Sequence, residues 1–331
     1  MSIKKVTVYD IAEELGISSS TVSRVLNNSS LIGDDRRKMI LDTAQRLGYK
    51  KRTIKKQSGR AILNIRLFLP PAKYNYIHLF YDVAELILGL QKGFDDVKAN
   101  IITSINDGDL SLIESKKLGD IDGCVFAFTV PSDELESYLE EKQIPIILLN
   151  REQPENNYVM IDNKTGMQKL ADAVIKKRGD VKPCYIGFNP IERVSQKRQQ
   201  GLIEAFKAKG QVIAEEDIFN VTEITEISES VIGTILKRGY NAVFCFNDIV
   251  AVAMYHAVLH EGLSLPDCFS LTGFDNSPVL KLLDKPINTI NFSVETLGYE
   301  AGVWLRSWVV ERKCESMQKK IDGEYIQGET V

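Results

Sequence analysis

The chain has 331 residues, 44% of them hydrophobic and 26% charged, a composition ordinary for a globular protein with two or three cores. Apolar runs such as Ile144 to Leu149 fall far short of the roughly 20 residues of a membrane-crossing helix, and Met1 to Lys5 lacks the apolar core of a signal peptide. No membrane partner is therefore expected, and the cytoplasm is the expected compartment. The net charge of −4 is unevenly spread: 13 Lys and Arg against 6 Asp and Glu give residues 1–60 a charge of +7 and leave −11 on the rest, so contact with a polyanion should be confined to the N-terminus.

At that end, Thr7 can cap a first helix starting near Val8, with Asp10 favouring its positive end, and Ile11, Ala12 and Leu15 share one face. Gly16 supplies the left-handed residue that stops it. Ser18 then caps a second helix from Ser19 to Leu26, with Val22, Val25 and Leu26 inward and Ser19, Ser20, Ser23, Arg24 and Asn27 outside. This short polar face suits base edges, because hydroxyls bond bases or phosphates and Arg can fork onto guanine O6 and N7. A third helix over Asp34 to Leu47 should turn Met39, Ile40, Thr43, Ala44 and Leu47 toward the same core, with Gly48 ending it. Helix, glycine turn and helix alone would be weak evidence for DNA, since any small three-helix domain can carry them.

The segment Val6 to Asn27, VTVYDIAEELGISSSTVSRVLN, with the helix that follows to Tyr49, resembles nearly residue for residue the headpiece of the lactose repressor family of bacterial transcription factors. In that family TVSRVLN forms the recognition helix. The resemblance implies DNA contacts by Thr7, Tyr9, Ser18, Ser19, Ser20, Thr21, Ser23, Arg24, Asn27 and Arg52. The basic run Lys50 to Arg60, KKRTIKKQSGR, reads by composition as a linker, and the family makes of it a hinge helix whose paired copies wedge a leucine into the minor groove. Here Lys51 stands where the usual proline would be and Ser58 where the wedge leucine would be. Phosphate contacts by Lys50, Lys51, Arg52, Lys55 and Lys56 are the available replacement.

From Ile62 short apolar runs alternate with amphipathic stretches of helical length, the pattern of parallel sheets covered by helices. Strands are expected at Ile62 to Leu69, Ile101 to Ile105, Gly123 to Phe128 and Ile144 to Leu149, with helices near 80–98, 109–117 and 132–142 between them. A second set follows Asp162: helices 164–178, 192–208, 226–238 and 248–261, and strands Cys184 to Phe188, Ala242 to Phe246 and Ser270 to Phe274. A strand at Thr289 to Phe292, a helix at Val294 to Val310 and a strand at Gly323 to Ile326 close the chain. The expected fold class is α/β: a three-helix helix-turn-helix headpiece plus two lobes of doubly wound parallel sheet resembling periplasmic binding proteins. The expected boundaries are 1–49 for the headpiece, 50–61 for the hinge and 62–331 for the effector-binding and dimerisation domain. Lobe one takes about 62–162 and 293–319, and lobe two about 163–292 and 320–331. The stripe Leu79, Phe80, Val83, Leu86, Ile87 and Leu90 either covers a sheet or builds a dimer interface.

Ligands of such folds bind at the carboxyl ends of the strands. At the family's effector positions stand Asn150 after its strand, Arg198 on the helix after the Cys184 strand, Asn247 in FND and Asp275 in GFDNSP. Their fixed hydrogen-bonding groups suit a hydroxyl-rich, uncharged molecule. Read singly, Asn247 is equally a helix cap and Asp275 a turn residue. Tyr81 and Phe292 are either apolar effector contacts or core. Glu223 stands where galactoside-sensing members place an aromatic, which argues for a different ligand or pose.

The five cysteines form no CxxC pair and read as buried reduced thiols, and His256 and His260, four apart, lack a third ligand and read as surface helix residues. No metal and no cofactor are expected. An enzyme is disfavoured because GxGxxG after a strand, GxxxxGK[ST], GxSxG and HExxH are all missing. A transport binding protein is opposed by the basic headpiece. The expected protein is a homodimeric transcriptional regulator, a repressor, that reads a palindromic operator DNA under control of a small carbohydrate effector.

Overall fold

The computed structural model describes residues 6–26, 34–47, 49, 56–57, 60–71, 81–106, 121–153 and 155–331. Two compact units divide the chain: Met1–Pro71, Val83–Met160 and Val294–Lys319 form the first, and Ala72–Asp82, Ile161–Ser293 and Lys320–Val331 the second. Each is therefore assembled from segments distant in sequence.

The first unit begins with three helices, α1 (Val8–Leu15), α2 (Ser19–Leu26) and α3 (Asp34–Arg46). Thr7 and Asp10 form a reciprocal capping box: Asp10 Oδ2 accepts the Thr7 N–H at 2.7 Å and Thr7 Oγ1 accepts the Asp10 N–H at 3.4 Å. Gly16 closes α1 at φ +61°, a conformation that costs a residue without Cβ almost nothing. Val8, Ile11, Ala12, Val22, Val25, Ile40 and Ala44 make the core, with Leu15, Ile17, Leu26, Leu47 and Tyr49 packed on it. Met39 is a correction, since it is 44% exposed instead of facing the core. It lies about 100° around the helix from Ile40, and Ile40, Thr43, Ala44 and Leu47 already complete the inward stripe.

Within the stretch expected as a hinge, strand β1 (Lys56–Gln57) pairs antiparallel with the start of β2 (Arg60–Leu69). Strand β2 lies between β3 (Lys98–Ile105) and β4 (Gly123–Ala127), and the sheet continues through β5 (Ile146–Leu149) to β6 (Asn157–Ile161), all parallel. Helix α4 (Val83–Phe94) is shorter than the expected 80–98 because the chain is already extended at Lys98. Helix α5 (Asp133–Glu141) is capped by Ser132 and covers a core of Phe68, Phe126, Leu135, Leu139 and Leu148. The helix expected at 109–117, and Leu79 and Phe80 of the apolar stripe, lie outside the described residues.

In the second unit β7 (Pro183–Phe188) lies between β8 (Ile218–Val221) and β9 (Ala242–Cys245), with β10 (Ser270–Thr272) beyond β9, again all parallel. Helices α6 (Asn163–Arg178), α7 (Glu192–Ala208), α8 (Glu229–Arg238) and α9 (Asp248–His260) connect them. Strand β11 (Thr289–Asn291) pairs antiparallel with a strand near the C-terminus, Glu324–Ile326.

Helix α10 (Val294–Arg306) brings the chain back to the first unit and packs on α4. Gly89 and Gly93 of α4 meet the backbone at Glu295 and Tyr299, and Gly298 and Gly302 of α10 meet the backbone at Leu86 and Leu90. A Cβ at any of the four would overlap main-chain atoms of the other helix. The buried part of the apolar stripe, Leu86 and Leu90, is thus used inside the unit. After Arg306 the helix widens into a turn of π type over Ser307–Glu311, short of the straight helix expected to Val310.

None of the helices among the described residues is long and apolar enough to cross a membrane. All five cysteines are free; Cys124, Cys184 and Cys245 are buried, and Cys268 and Cys314 are half-buried. Burial pushes the Cys124 thiol up to about 12. In the native chain at pH 8 a thiol reagent should label Cys268 and Cys314 and leave Cys124, Cys184 and Cys245 unmodified until denaturant is added. Gly302→Ala should lower stability by about 1–3 kcal/mol, read as a lower urea midpoint; an unchanged midpoint would show that the two helices can part without cost.

Candidate functional site

Two groups of candidate residues stand on different parts of the chain. In the headpiece, Ser18 Oγ accepts the Thr21 N–H at 3.3 Å and shares hydrogen bonds with Ser20 Oγ at 3.0 Å and Thr21 Oγ1 at 2.7 Å. Ser18 therefore spends its hydroxyl on starting α2, as the capping pattern predicts. Tyr9, Ser18 and Ser20 are exposed, and Thr7, Ser19, Thr21 and Ser23 are half-buried. Burial and the carboxylates of Glu140 and Glu141 raise the Tyr9 phenol above its ordinary range, with Ser19 offsetting part of the rise. Arg24 belongs to α2, although its side chain is outside the described residues, as are Asn27 and Arg52. An exposed ion pair, Arg46 to Glu14 at 2.7 Å, links α3 to α1. A helix N-terminus carrying a cluster of small hydroxyls can meet phosphate and base edges, because unsatisfied N–H groups and the helix dipole favour anions there.

In the second unit the candidate residues meet around one guanidinium. Arg198 on α7 is 2% exposed and lies over the rings of Phe274, at 3.8 Å, and Phe246, at 4.8 Å. Its Nε donates to Asn163 Oδ1 at 2.8 Å, Nη1 to the Phe246 carbonyl at 2.6 Å and Nη2 to Asp275 Oδ1 at 2.7 Å. Asn247 caps α9, its Oδ1 accepting the Val250 N–H at 3.1 Å, and its side chain also favours the charged form of the Asp275 carboxyl. The cap reading of Asn247 is thus met by its side chain. Burial raises the Asp275 carboxyl above the ordinary range, and Arg198 and Asn247 offset part of that rise.

The sequence pattern did not single out Asn163. It is 2% exposed, and its Nδ2 donates to the Ile161 carbonyl at 3.2 Å while its Oδ1 receives Arg198. The available signal was a buried-type position occupied by an amide at the start of α6, immediately after the cap Asp162.

The other candidates are not among the hydrogen-bond partners of Arg198. Asn150 follows β5 in the first unit at φ +52°, is 6% exposed, and its buried Oδ1 has no hydrogen-bond partner among the described residues. Phe292 is buried directly after β11, Tyr81 is half-buried just before α4, and Glu223 is exposed. A polar cavity of about 340 Å³ lies against Gln196 and Gln199 of α7 and Ile218 and Asn220 of β8, and Arg198, Asn247 and Asp275 do not line it.

An N-terminal helix-turn-helix joined to paired parallel sheets with a buried polar cluster at their strand ends defines a class: DNA-binding regulators carrying a periplasmic-binding-protein-like domain. Residues 7–51 match the model of bacterial regulatory proteins of the lacI family, and residues 176–331 match that of a periplasmic binding protein-like domain. Residues 7–51 are thus a lacI-family headpiece, and the chain is a DNA-binding transcriptional regulator. It is 27% identical to the HTH-type transcriptional regulator DegA of Bacillus subtilis (strain 168) over 310 residues, covering 89% of each chain. With the HTH-type transcriptional regulator GalS of Salmonella typhimurium it shares 25% identity over 308 residues, 88% of this chain and 87% of the relative. Among solved structures, the complex of the transcriptional regulator CelR with cellobiose superposes with a TM-score of 0.67 at 21% identity, covering 99% of this chain and 100% of that one. The lac repressor dimer bound to operator and an anti-inducer does so with a TM-score of 0.65 at 17% identity, covering 99% of each.

Removing one member of a buried ion pair leaves the other charge uncompensated. Arg198→Ala should therefore destabilise the second unit by about 3–5 kcal/mol, and adding Asp275→Asn should recover part of the loss in a double-mutant cycle. A double variant as unstable as the sum of the two single ones would show that the pair is not coupled.

Proposed function

We propose that the protein is a homodimeric repressor in the cytoplasm, that it has no catalytic role, and that a small carbohydrate sets its affinity for a palindromic operator. The observation that carries the effector part is the buried cluster of Arg198, Asp275, Asn247 and Asn163 at the strand ends of the second unit. Three of the five N–H donors of Arg198 are directed at protein acceptors. The remaining donors and the second oxygen of Asp275 suit sugar hydroxyls. The rings of Phe246 and Phe274 already show how apolar faces line the guanidinium. The solved relatives CelR, with cellobiose, and a regulator from Enterococcus faecium, with ribose, carry carbohydrate on the same fold.

The DNA part is carried by α2. We assign base contacts to Ser19, Ser20, Ser23, Arg24 and Asn27, with Thr7, Tyr9, Ser18, Thr21 and Arg52 contacting the backbone or supporting the reader. One eight-residue helix covers one half-site, so two copies related by a two-fold axis match a palindrome. Residues 1–49 serve as headpiece, 50–61 as connection and 62–331 as the effector-binding and dimerisation domain. The pairing of β2 with β3 begins only at Ile62, so a chain lacking residues 1–60 keeps the parallel register of the sheet.

A thermal-shift screen of the full chain against sugars and nucleosides tests the effector: saturation at 100 times the Kd should add about 2.7 kcal/mol to stability. A response to nucleosides alone would overturn the carbohydrate assignment. Selection of bound fragments from random duplexes should enrich a palindrome, and Arg24→Ala should weaken binding to it by about 1–3 kcal/mol with an unchanged thermal midpoint. Equal binding by the variant would clear Arg24 of the reading role. The chain without residues 1–60 should remain a folded dimer in sedimentation, whereas a monomer would place dimerisation in the headpiece.

A further inference from the structure

The residue after the α9 cap, Asp248, is 0% exposed, and among the described residues no ion pair reaches it. A buried carboxylate without its own cation is costly, so its hydrogen bonds show what the fold gains from keeping it. Oδ2 accepts the Ser277 N–H at 2.6 Å, and Oδ1 accepts the Thr289 hydroxyl at 2.7 Å. The same Thr289 oxygen accepts the Asn276 N–H at 3.3 Å, and the Asp248 N–H donates to the Phe274 carbonyl at 2.9 Å. Asp248 and its partner Thr289 thus hold the chain on both sides of Asp275.

That short turn needs holding. Asp275 has φ +104° and Asn276 φ +52°, two successive non-glycine residues in a region that costs about 1–3 kcal/mol each and persists only when its surroundings enforce it. Gly273 makes room for the brace, since a Cβ there would overlap the Asp248 carboxylate. Asp275 in turn meets Arg198 from this geometry.

We infer that Asp248 is a positioning residue: through the Ser277 N–H and the Thr289 hydroxyl it fixes the strained turn that presents Asp275 to Arg198. Its importance for regulation rests on the effector role proposed above for Arg198 and Asp275, while the brace itself does not. Asp248 touches no effector in this scheme; it sets where an effector-binding carboxylate stands and how rigidly.

The test uses the full chain labelled with 15N-arginine, in which the Arg198 Nε–H resonance is identified by its loss in Arg198→Lys, together with mass-spectrometric amide exchange. Asp248→Asn and Thr289→Val should each speed exchange of the Arg198 Nε–H tenfold or more, along with the amides of 276–277. The amides of β9 should stay at their native rates, which separates a loosened turn from a loosened fold. Thr289→Ser, which keeps the hydroxyl, should restore slow exchange at Arg198. Native exchange at Arg198 in the Thr289→Val chain, acceleration shared equally by β9, or no recovery in Thr289→Ser would each overturn the inference. Should Asp248→Asn fail to fold, the Thr289 pair decides alone. No ligand enters the measurement, so a chain that binds no sugar but shows this pattern loses the effector reading and keeps the brace.

Discussion

A guanidinium that is 2% exposed has to be compensated on every side, and the second unit is arranged to do that for Arg198. Desolvating such an ion costs several kcal/mol even after relaxation. Here Asp275 supplies the opposite charge, Asn163 and the Phe246 carbonyl take further N–H groups, and Phe246 and Phe274 offer ring faces to the cation. These partners come from α6 and the ends of β9 and β10, so one side chain of α7 ties four elements together at the strand ends. Packing a hydrophobic residue there would be a simpler way to gain stability. Retaining a charge pair instead fits a site whose specification matters more than its contribution to folding.

The first unit depends on a different device. Its closing helix α10 arrives only after Ile161–Ser293 of the second unit, and must then recognise α4. Glycines four apart on both helices, Gly89 and Gly93 against Gly298 and Gly302, bring the two backbones into direct contact. Where side chains usually set the distance between helices at 8–10 Å, here main-chain atoms do, and only one register allows it. The return crossing is thus defined by shape, with the exposed ion pairs Lys92 to Glu295 at 2.6 Å and Arg306 to Asp95 at 3.0 Å adding little.

Local signals made the headpiece legible residue by residue: Thr7, Asp10, Gly16 and Ser18 each act within three or four positions of where they stand. Met39 was misassigned because an apolar residue next to a stripe is indistinguishable from a member of it until the facing helices are in place. The strands β6 and β8 escaped notice because each is short and interrupted by a polar residue, Asn157 at the start of one and Asn220 within the other. Their pairing is decided by neighbours distant in sequence. Arg198, Asn247 and Asp275 were legible only through family resemblance, since no spacing rule joins Arg198 to positions 49 and 77 residues further on. Asn163 and Asp248 were missed for the same reason, and because an amide or carboxylate at a helix start reads as a cap.

Arg198 and Asp275 already satisfy one another, so a ligand gains nothing by merely replacing water around two isolated charges. It gains by adding acceptors and donors to a network whose geometry is already fixed, which lowers the ordering cost of binding. Asn247 carries the matter further, because the same side chain that favours the charged form of Asp275 also holds the first turn of α9. A ligand that draws the Asn247 amide toward itself competes with that cap, and one that leaves it alone does not. Regulation requires a difference in affinity between two states. Within this unit, Asn247 is the side chain through which occupancy of the cluster can be felt by a whole helix.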